Sequence, residues 1–133
     1  MRRANGRKLR RGAAAVEMAL VMPVLFLMLF GIIEFGWILS VQNSLVNAAR
    51  EGARTGALQG TDYDDISAKV AEQLTPMGLN GKVSVTITEP TPQEPTVGVQ
   101  LEVPRSQVSL LGDFLGFQGG MLRAQAWMMK EGM

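Results

Sequence analysis

The sequence contains no cysteine and no histidine. The first absence excludes disulfide frameworks, thiol nucleophiles and thiolate zinc sites, and the second excludes imidazole acid/base chemistry. Aromatic residues make up only 6% and charged residues only 19% of the 133 positions, whereas hydrophobic residues make up 47%. This composition is too apolar for a disordered chain. We therefore expect a folded protein, and the two absences exclude many classes of enzyme. We expect no catalytic activity, no cofactor and no metal site.

Acidic residues are missing from the first sixteen positions, where the basic residues are concentrated. Six of the 13 lysines and arginines lie within residues 1–12, whereas residues 13–133 carry a net charge of −5. A nucleic-acid-binding surface needs positive charge spread over a folded face, so no nucleic-acid partner is expected. A short basic segment is instead typical of the cytoplasmic flank of a membrane helix. Residues 1–12 are therefore predicted to be a basic cytoplasmic leader.

A long apolar run follows the basic leader, and Met18–Ile33 is sixteen residues without a charge. As a helix, residues 13–41 would extend about 43 Å at about 1.5 Å per residue. That length covers the ~30 Å hydrocarbon core of a bilayer. The run predicts a single transmembrane helix over residues 13–41, with its N-terminus in the cytoplasm by the positive-inside rule. Pro23 lacks a backbone donor and is predicted to kink this helix.

Two other membrane-targeting interpretations remain open. The first is a secretory signal peptide that is cleaved at a small-residue site near Val46-Asn47-Ala48. The apolar run is, however, longer than the apolar region of most such signals. An uncleaved signal anchor would carry the remainder of the chain outside the cytoplasm without any processing.

Glu17 lies inside the apolar run, where an ionised carboxylate is costly unless it is paired. With the basic stretch before it, the run Gly12-Ala13-Ala14-Ala15-Val16-Glu17 resembles a type IV prepilin processing site. The resemblance implies that a prepilin peptidase cuts between Gly12 and Ala13 and leaves a mature chain of 121 residues. Glu17 would then pair with the new amino group of this or an adjacent subunit and set the axial register. The alternative is that Glu17 only reaches toward the lipid headgroups.

Further residues narrow the resemblance to one family. The prepilin-like site is followed by Pro23, by Gly31-Ile32-Ile33-Glu34-Phe35-Gly36 and by Asn47-Ala48-Ala49-Arg50-Glu51-Gly52-Ala53-Arg54. Over residues 11–57 the chain resembles the TadE-like family, whose members include pseudopilins of the tight-adherence (Tad) apparatus that assembles Flp pili. Met18 departs from the aromatic residue that follows the glutamate in major Flp pilins. This departure and the long C-terminal part indicate a minor pseudopilin.

The family resemblance implies a place and a set of partners. The place is the bacterial inner membrane, with the C-terminal part outside the cytoplasm and a cell-surface pilus after assembly. The partners are the prepilin peptidase, other pilins and pseudopilins, the Tad inner-membrane assembly proteins and the lipid bilayer. Cell adhesion would be the role of the assembled pilus.

Glu34 and Trp37 stand near the outer end of the apolar run. This pair is typical of an interfacial belt, where a charge and an amphipathic ring meet the lipid headgroups. A contact between subunits is the alternative role for Glu34.

Small residues recur every four positions in the predicted helical stalk, residues 42–60. Ala49 and Ala53 form one row and Gly52 and Gly56 form the next. Such rows allow a helix to approach another helix or a sheet closely. We therefore expect Ala49, Gly52, Ala53 and Gly56 to be packing residues.

Residues 61–133 predict a small extracytoplasmic head. Thr61–Asp65 carries cap and acidic first-turn residues for a short helix that ends before Pro76 and Gly78, which explains the acids better than a calcium loop. Alternating apolar residues predict three strands, at 83–88, 97–103 and 122–129. The expected fold is α+β and pilin-like: a long N-terminal helix, a short helix and a three-stranded antiparallel sheet.

Residues 105–120 are rich in glycine and apolar side chains, and they predict either a loop on a membrane or partner or a segment under the sheet. Asp113 near Arg105 is the best catalytic constellation that the chain offers, and it is a weak one. A structural protein of pilus assembly is therefore the leading hypothesis. The second is an unprocessed, single-pass membrane-anchored extracytoplasmic binding module.

Overall fold

A computed structural model describes the backbone of residues 5–112 and 119–132 and the side chains from Gly12 onward. Helix α1 (Asn5–Ala57) comes first, followed by α2 (Tyr63–Leu74) and three strands, β1 (Ser84–Thr88), β2 (Thr96–Pro104) and β3 (Met121–Met129). The α+β class, the long N-terminal helix, the short helix and the three-stranded antiparallel sheet are all confirmed.

The chain forms two compact units, and the boundary lies between Phe35 and Gly36. The first unit, which we call the anchor, contains α1 up to Phe35. The α-helix continues through Pro23. The predicted kink at this residue stays a prediction. The second unit, which we call the head, contains the remainder of α1 together with α2 and the sheet.

The head is a sheet with helices packed on one face. Its strand order is β1-β2-β3, with β2 antiparallel to both neighbours. The alternation of apolar residues along β2 places one side of the central strand against the helices. The largest fully buried side chains come from α1, α2, the turn after α2 and β2, and they are Leu45, Leu79, Leu101, Val41, Val70, Val97, Val99 and Val103.

Helix α2 begins and ends at the residues that its sequence predicts. At its start the Asp62 N–H donates to Asp65 Oδ2 at 3.3 Å, which satisfies one of the donors that a helix start exposes. Its buried side chains are Ile66, Val70 and Leu74. The chain turns away at Gly78, whose φ of 64° favours glycine.

The glycine-rich segment is described only in part. Arg105–Gln107 forms a short 3-10 helix, Val108 is buried in the head core and Leu110 is 55% exposed. Asp113 and the phenylalanines of this segment lie outside the described residues. Of the predicted pair Asp113 and Arg105, the structure therefore describes only Arg105.

Candidate functional site: the N-terminal helix

The anchor carries an apolar surface along its described residues. Its fifteen large apolar side chains between Val16 and Phe35 are 38–71% exposed. Among the described helices, α1 is long and apolar enough to cross a membrane, from Gly12 onward. An exposed apolar surface of this extent is typical of a lipid-facing or helix-facing segment.

The predicted processing residues lie together on the anchor. The Gly12–Ala13 peptide bond is inside α1, and a Cβ built on Gly12 would meet no atom within 4 Å. Glu17 is exposed and lies four residues after Ala13, on the same helix face. Cleavage after Gly12 would therefore place the new amino group within one helical turn of the Glu17 carboxylate. This geometry suits the pairing that the prepilin resemblance implies.

Pro23 lies further along the anchor, about 1.7 turns beyond Glu17. Since proline has no N–H, the carbonyl of Ala19 lacks its usual helical donor. Such a carbonyl is tolerated in a membrane when a neighbouring helix or side chain covers it.

The predicted packing residues Ala49, Gly52, Ala53 and Gly56 all lie in the head, where α1 meets β2 and α2. Ala49 and Ala53 are completely buried. A Cβ on Gly52 would lie 2.6 Å from Val70 Cγ2 of α2 and 3.4 Å from Val99 Cγ1 of β2. We call these four residues the small-residue seam. Its partners are the sheet and α2 of the same chain.

Gly56 repeats this arrangement one turn later. A Cβ there would lie 2.7 Å from Val97 Cγ1 and 2.8 Å from Ile66 Cδ1. Because both glycines leave no room for a methyl group, the two residues determine how closely α1 approaches the sheet.

Gly52→Ala is expected to destabilise the head by about 1 kcal/mol. Overpacking costs about 1–3 kcal/mol, and the better helix propensity of alanine returns up to about 1 kcal/mol. The matched control is Gly36→Ala on the same helix, where a Cβ meets nothing within 4 Å and a gain of up to about 1 kcal/mol is expected. Thermal unfolding of the full chain in detergent, followed by tryptophan fluorescence, measures both. Equal shifts for the two variants would contradict the close packing at Gly52.

Two polar side chains of α1 hold the helix to the rest of the head. Trp37 Nε1 donates to the carbonyl of Val108 at 2.7 Å, and Gln42 Nε2 donates to the carbonyl of Arg123 at 2.7 Å. Ile38 and Val41 of the same turns are buried in the core. The last turns of the predicted transmembrane span 13–41 therefore pack inside the head.

Neither hydrogen bond was predicted, because the partners are 71 and 81 residues apart and no local pattern joins them. The belt interpretation had assigned Trp37 to the lipid headgroups, whereas its indole N–H is bonded to protein.

Residues 12–54 match the family model of the TadE-like protein. The chain carries a TadE-like segment. The resemblance predicted from the sequence is thereby confirmed over these residues. No curated protein and no solved structure matches the chain significantly.

The TadE-like segment includes most of the predicted site residues. It contains Gly12, Ala13, Glu17 and Pro23 of the anchor together with Ala49, Gly52 and Ala53 of the seam, while Gly56 lies two residues beyond it. The TadE-like family is structural and pilus-associated. The long apolar helix fits a single-pass membrane anchor.

Proposed function

We propose that this chain is a minor pseudopilin of a Tad/Flp pilus. A prepilin peptidase would remove residues 1–12 on the cytoplasmic side of the inner membrane, and the apolar helix would be retained. The mature chain would then assemble with other pilins or pseudopilins through residues 13–35, helped by the Tad inner-membrane proteins. The head would be carried outside the cytoplasm.

One observation carries this proposal. Glu17 is the sole charged side chain between Ala13 and Ile33, and it lies one turn from Ala13 within the TadE-like segment. A lone carboxylate at this depth is costly unless a cation approaches it. The amino group released at Ala13, of the same or a neighbouring copy, would be positively charged and would lie about one helical turn from the Glu17 carboxylate. Pairing would offset the desolvation of both groups and would fix the axial position of one helix against the next.

The exposed anchor surface supports the same role. Its side chains are apolar on all sides, so the surface itself specifies no direction or register between neighbouring helices. A single charged pair within it supplies that register. The basic leader, with six positive charges in twelve residues, supports a cytoplasmic N-terminus.

The first experiment is the intact mass of the protein recovered from the membranes of its own host. We expect a chain that lacks residues 1–12 and begins at Ala13. Gly12→Val, at a position where a Cβ would meet no described atom within 4 Å, is the control and should remain at full length. An unshortened wild-type chain would instead favour the membrane-anchored binding module. A chain that begins near Ala48 would indicate a secreted head and would contradict the proposal.

A further inference from the structure

The hydrogen bonds at the two ends of the β2–β3 ladder show which backbone groups of β3 point away from β2. The Arg105 N–H donates to the Gly120 carbonyl at 3.1 Å, and the Lys130 N–H donates to the Pro95 carbonyl at 2.8 Å. Both bonds join an odd residue on the β2 side to an even residue on the β3 side, in register with the ladder between them. Because antiparallel pairing alternates with a period of two, the odd residues of β3 direct their N–H and C=O groups away from β2.

Gln42 covers one end of this free edge. Its side chain donates to the Arg123 carbonyl, and no other hydrogen bond from residues 5–112 or 119–132 reaches the odd residues of β3. The uncovered part is the five-residue stretch Gln125–Met129. It contains no proline, no lysine and no bulge, which are three of the devices that protect an edge strand, and α1 bonds to the chain at both ends of the stretch. Two of its side chains are strongly exposed, Trp127 at 53% and Met129 at 71%.

Strand β1 forms the opposite edge of the sheet, and it is also five residues long. Its even residues, from Ser84 to Thr88, are paired with the even residues of β2. By the same alternation, Val85 and Ile87 direct their backbone groups away from β2. The two free edges therefore have equal length.

The direction of the strands determines how two copies can meet. Helix α1 runs alongside β3 in the same direction, since Gln42 bonds near its start and the Ala57 carbonyl accepts from the Glu131 N–H beyond its end. Strands β1 and β3 are parallel to each other, because both are antiparallel to β2. When two heads have their α1 segments in the same direction, β1 of one copy is parallel to β3 of the other.

We propose that the β3 edge at Gln125–Met129 binds the β1 edge at Ser84–Thr88 of a second copy, as a parallel strand pair. In the register that matches the two five-residue stretches, Ser84 lies opposite Gln125 and Thr88 lies opposite Met129. Side chains that are opposite in this register share a sheet face in both copies. The proposal requires two heads that point in the same direction, and it does not depend on cleavage after Gly12.

A groove beside β1 supports this occupant. It has a volume of about 380 Å³ and is lined by Ile87 of β1, by Val97 of β2 and by Lys130 beyond β3. The matched register places Met128 of the second copy beside Ile87 and brings its Lys130 near Glu89. The groove is lined by two carboxylates, Asp62 and Glu89, and by one ammonium group, that of its own Lys130. This net negative charge favours a second cation. The other walls that the argument uses are Tyr63, Ile66 and Pro90.

This contact would be heterologous, because different edges of the two copies meet. Such a contact leaves one free edge at each end and extends into a ring or a helical array. A helical array is the geometry of a fibre, so the head would add its own contact to those of the anchor helices.

Because the chain has no cysteine, a disulfide cross-link can test the contact directly. Two differently tagged full-length chains are co-expressed in membranes, one with Ser84→Cys and one with Gln125→Cys, and are then mildly oxidised. Opposite residues on neighbouring strands are about 5 Å apart, which suits a disulfide. We expect a mixed-tag dimer. Thr88→Cys with Gln125→Cys is the matched control, because these positions are about 13 Å further apart along the strand and should not cross-link.

Three results would overturn the proposal. A dimer from Gln125→Cys alone would show symmetric β3–β3 pairing, in which Gln125 lies opposite itself. Cross-linking of the control pair as efficiently as the matched pair would show random collision. Absence of the mixed dimer, in chains with wild-type unfolding temperature, would show that a second copy does not occupy this edge. The N-terminal mass of the same sample tests processing separately, so the two proposals can fail independently.

Discussion

Replacing Glu17 by alanine is expected to leave the chain inserted and processed but to reduce its co-assembly with other pilins or pseudopilins at least tenfold. The side chain is exposed on the anchor, so its removal disturbs no packing within the chain. What is lost is the one charge between Ala13 and Ile33 that can pair with an amino group at the membrane boundary. An unpaired charge at such a depth costs several kcal/mol, and a tenfold loss corresponds to about 1.4 kcal/mol.

Glu17→Gln is the sharper variant, because it keeps the size of the side chain and removes only the charge. Co-purification with differently tagged partner subunits measures assembly, and intact mass measures processing in the same sample. Both variants should behave alike if charge pairing is the cause. Normal co-assembly of Glu17→Gln would contradict the pairing argument and would leave Glu17 as a residue that only reaches toward the headgroups.

Leu45→Ala is expected to produce the largest loss of head stability among single truncations on α1, about 2–5 kcal/mol. Leu45 is completely buried between the helices and the sheet, so its removal leaves a cavity that rigid neighbours do not fill. For a domain of this size, the midpoint temperature should fall by more than about 8 °C. Thermal unfolding of the full chain in detergent, read by tryptophan fluorescence, measures the change.

Leu39→Ala is the matched control for this truncation. Leu39 lies on the same helix less than two turns away, but it is 45% exposed. Its truncation removes the same atoms without creating a cavity and should shift the midpoint by no more than a few degrees. Equal shifts for the two variants would mean that the helix is not packed in the head as described.

The apolar anchor could be predicted from composition, and the strands and the short helix of the head could be predicted from the periodicity of apolar residues. Sixteen uncharged residues in Met18–Ile33 are a local property, and so is the alternation along β2. The start of α2 is equally local, because Asp62 and Asp65 are three residues apart and interact directly. For each of these elements, the decisive contacts are with water, with lipid or with residues a few positions away.

The small-residue seam is an intermediate case. Rows of alanine and glycine predicted a close approach of α1 to some other element, either helix or sheet. The structure assigns both partners at once, Val99 of β2 and Val70 of α2, which meet at Gly52. A pattern of small side chains predicts that another element can pack closely on the helix, but it does not indicate which element that is.

The sequence by itself determined that α1 is apolar, that Glu17 is the exceptional charge within it, and that three strands and a short helix follow. Only the tertiary structure decided that the helix turns at Trp37 and Val41 belong to the head. Apolar residues at these positions satisfy lipid and protein core equally well, since burial of apolar surface is not directional. The choice depends on Val108 and on strands far along the chain, which no pattern within the helix can specify.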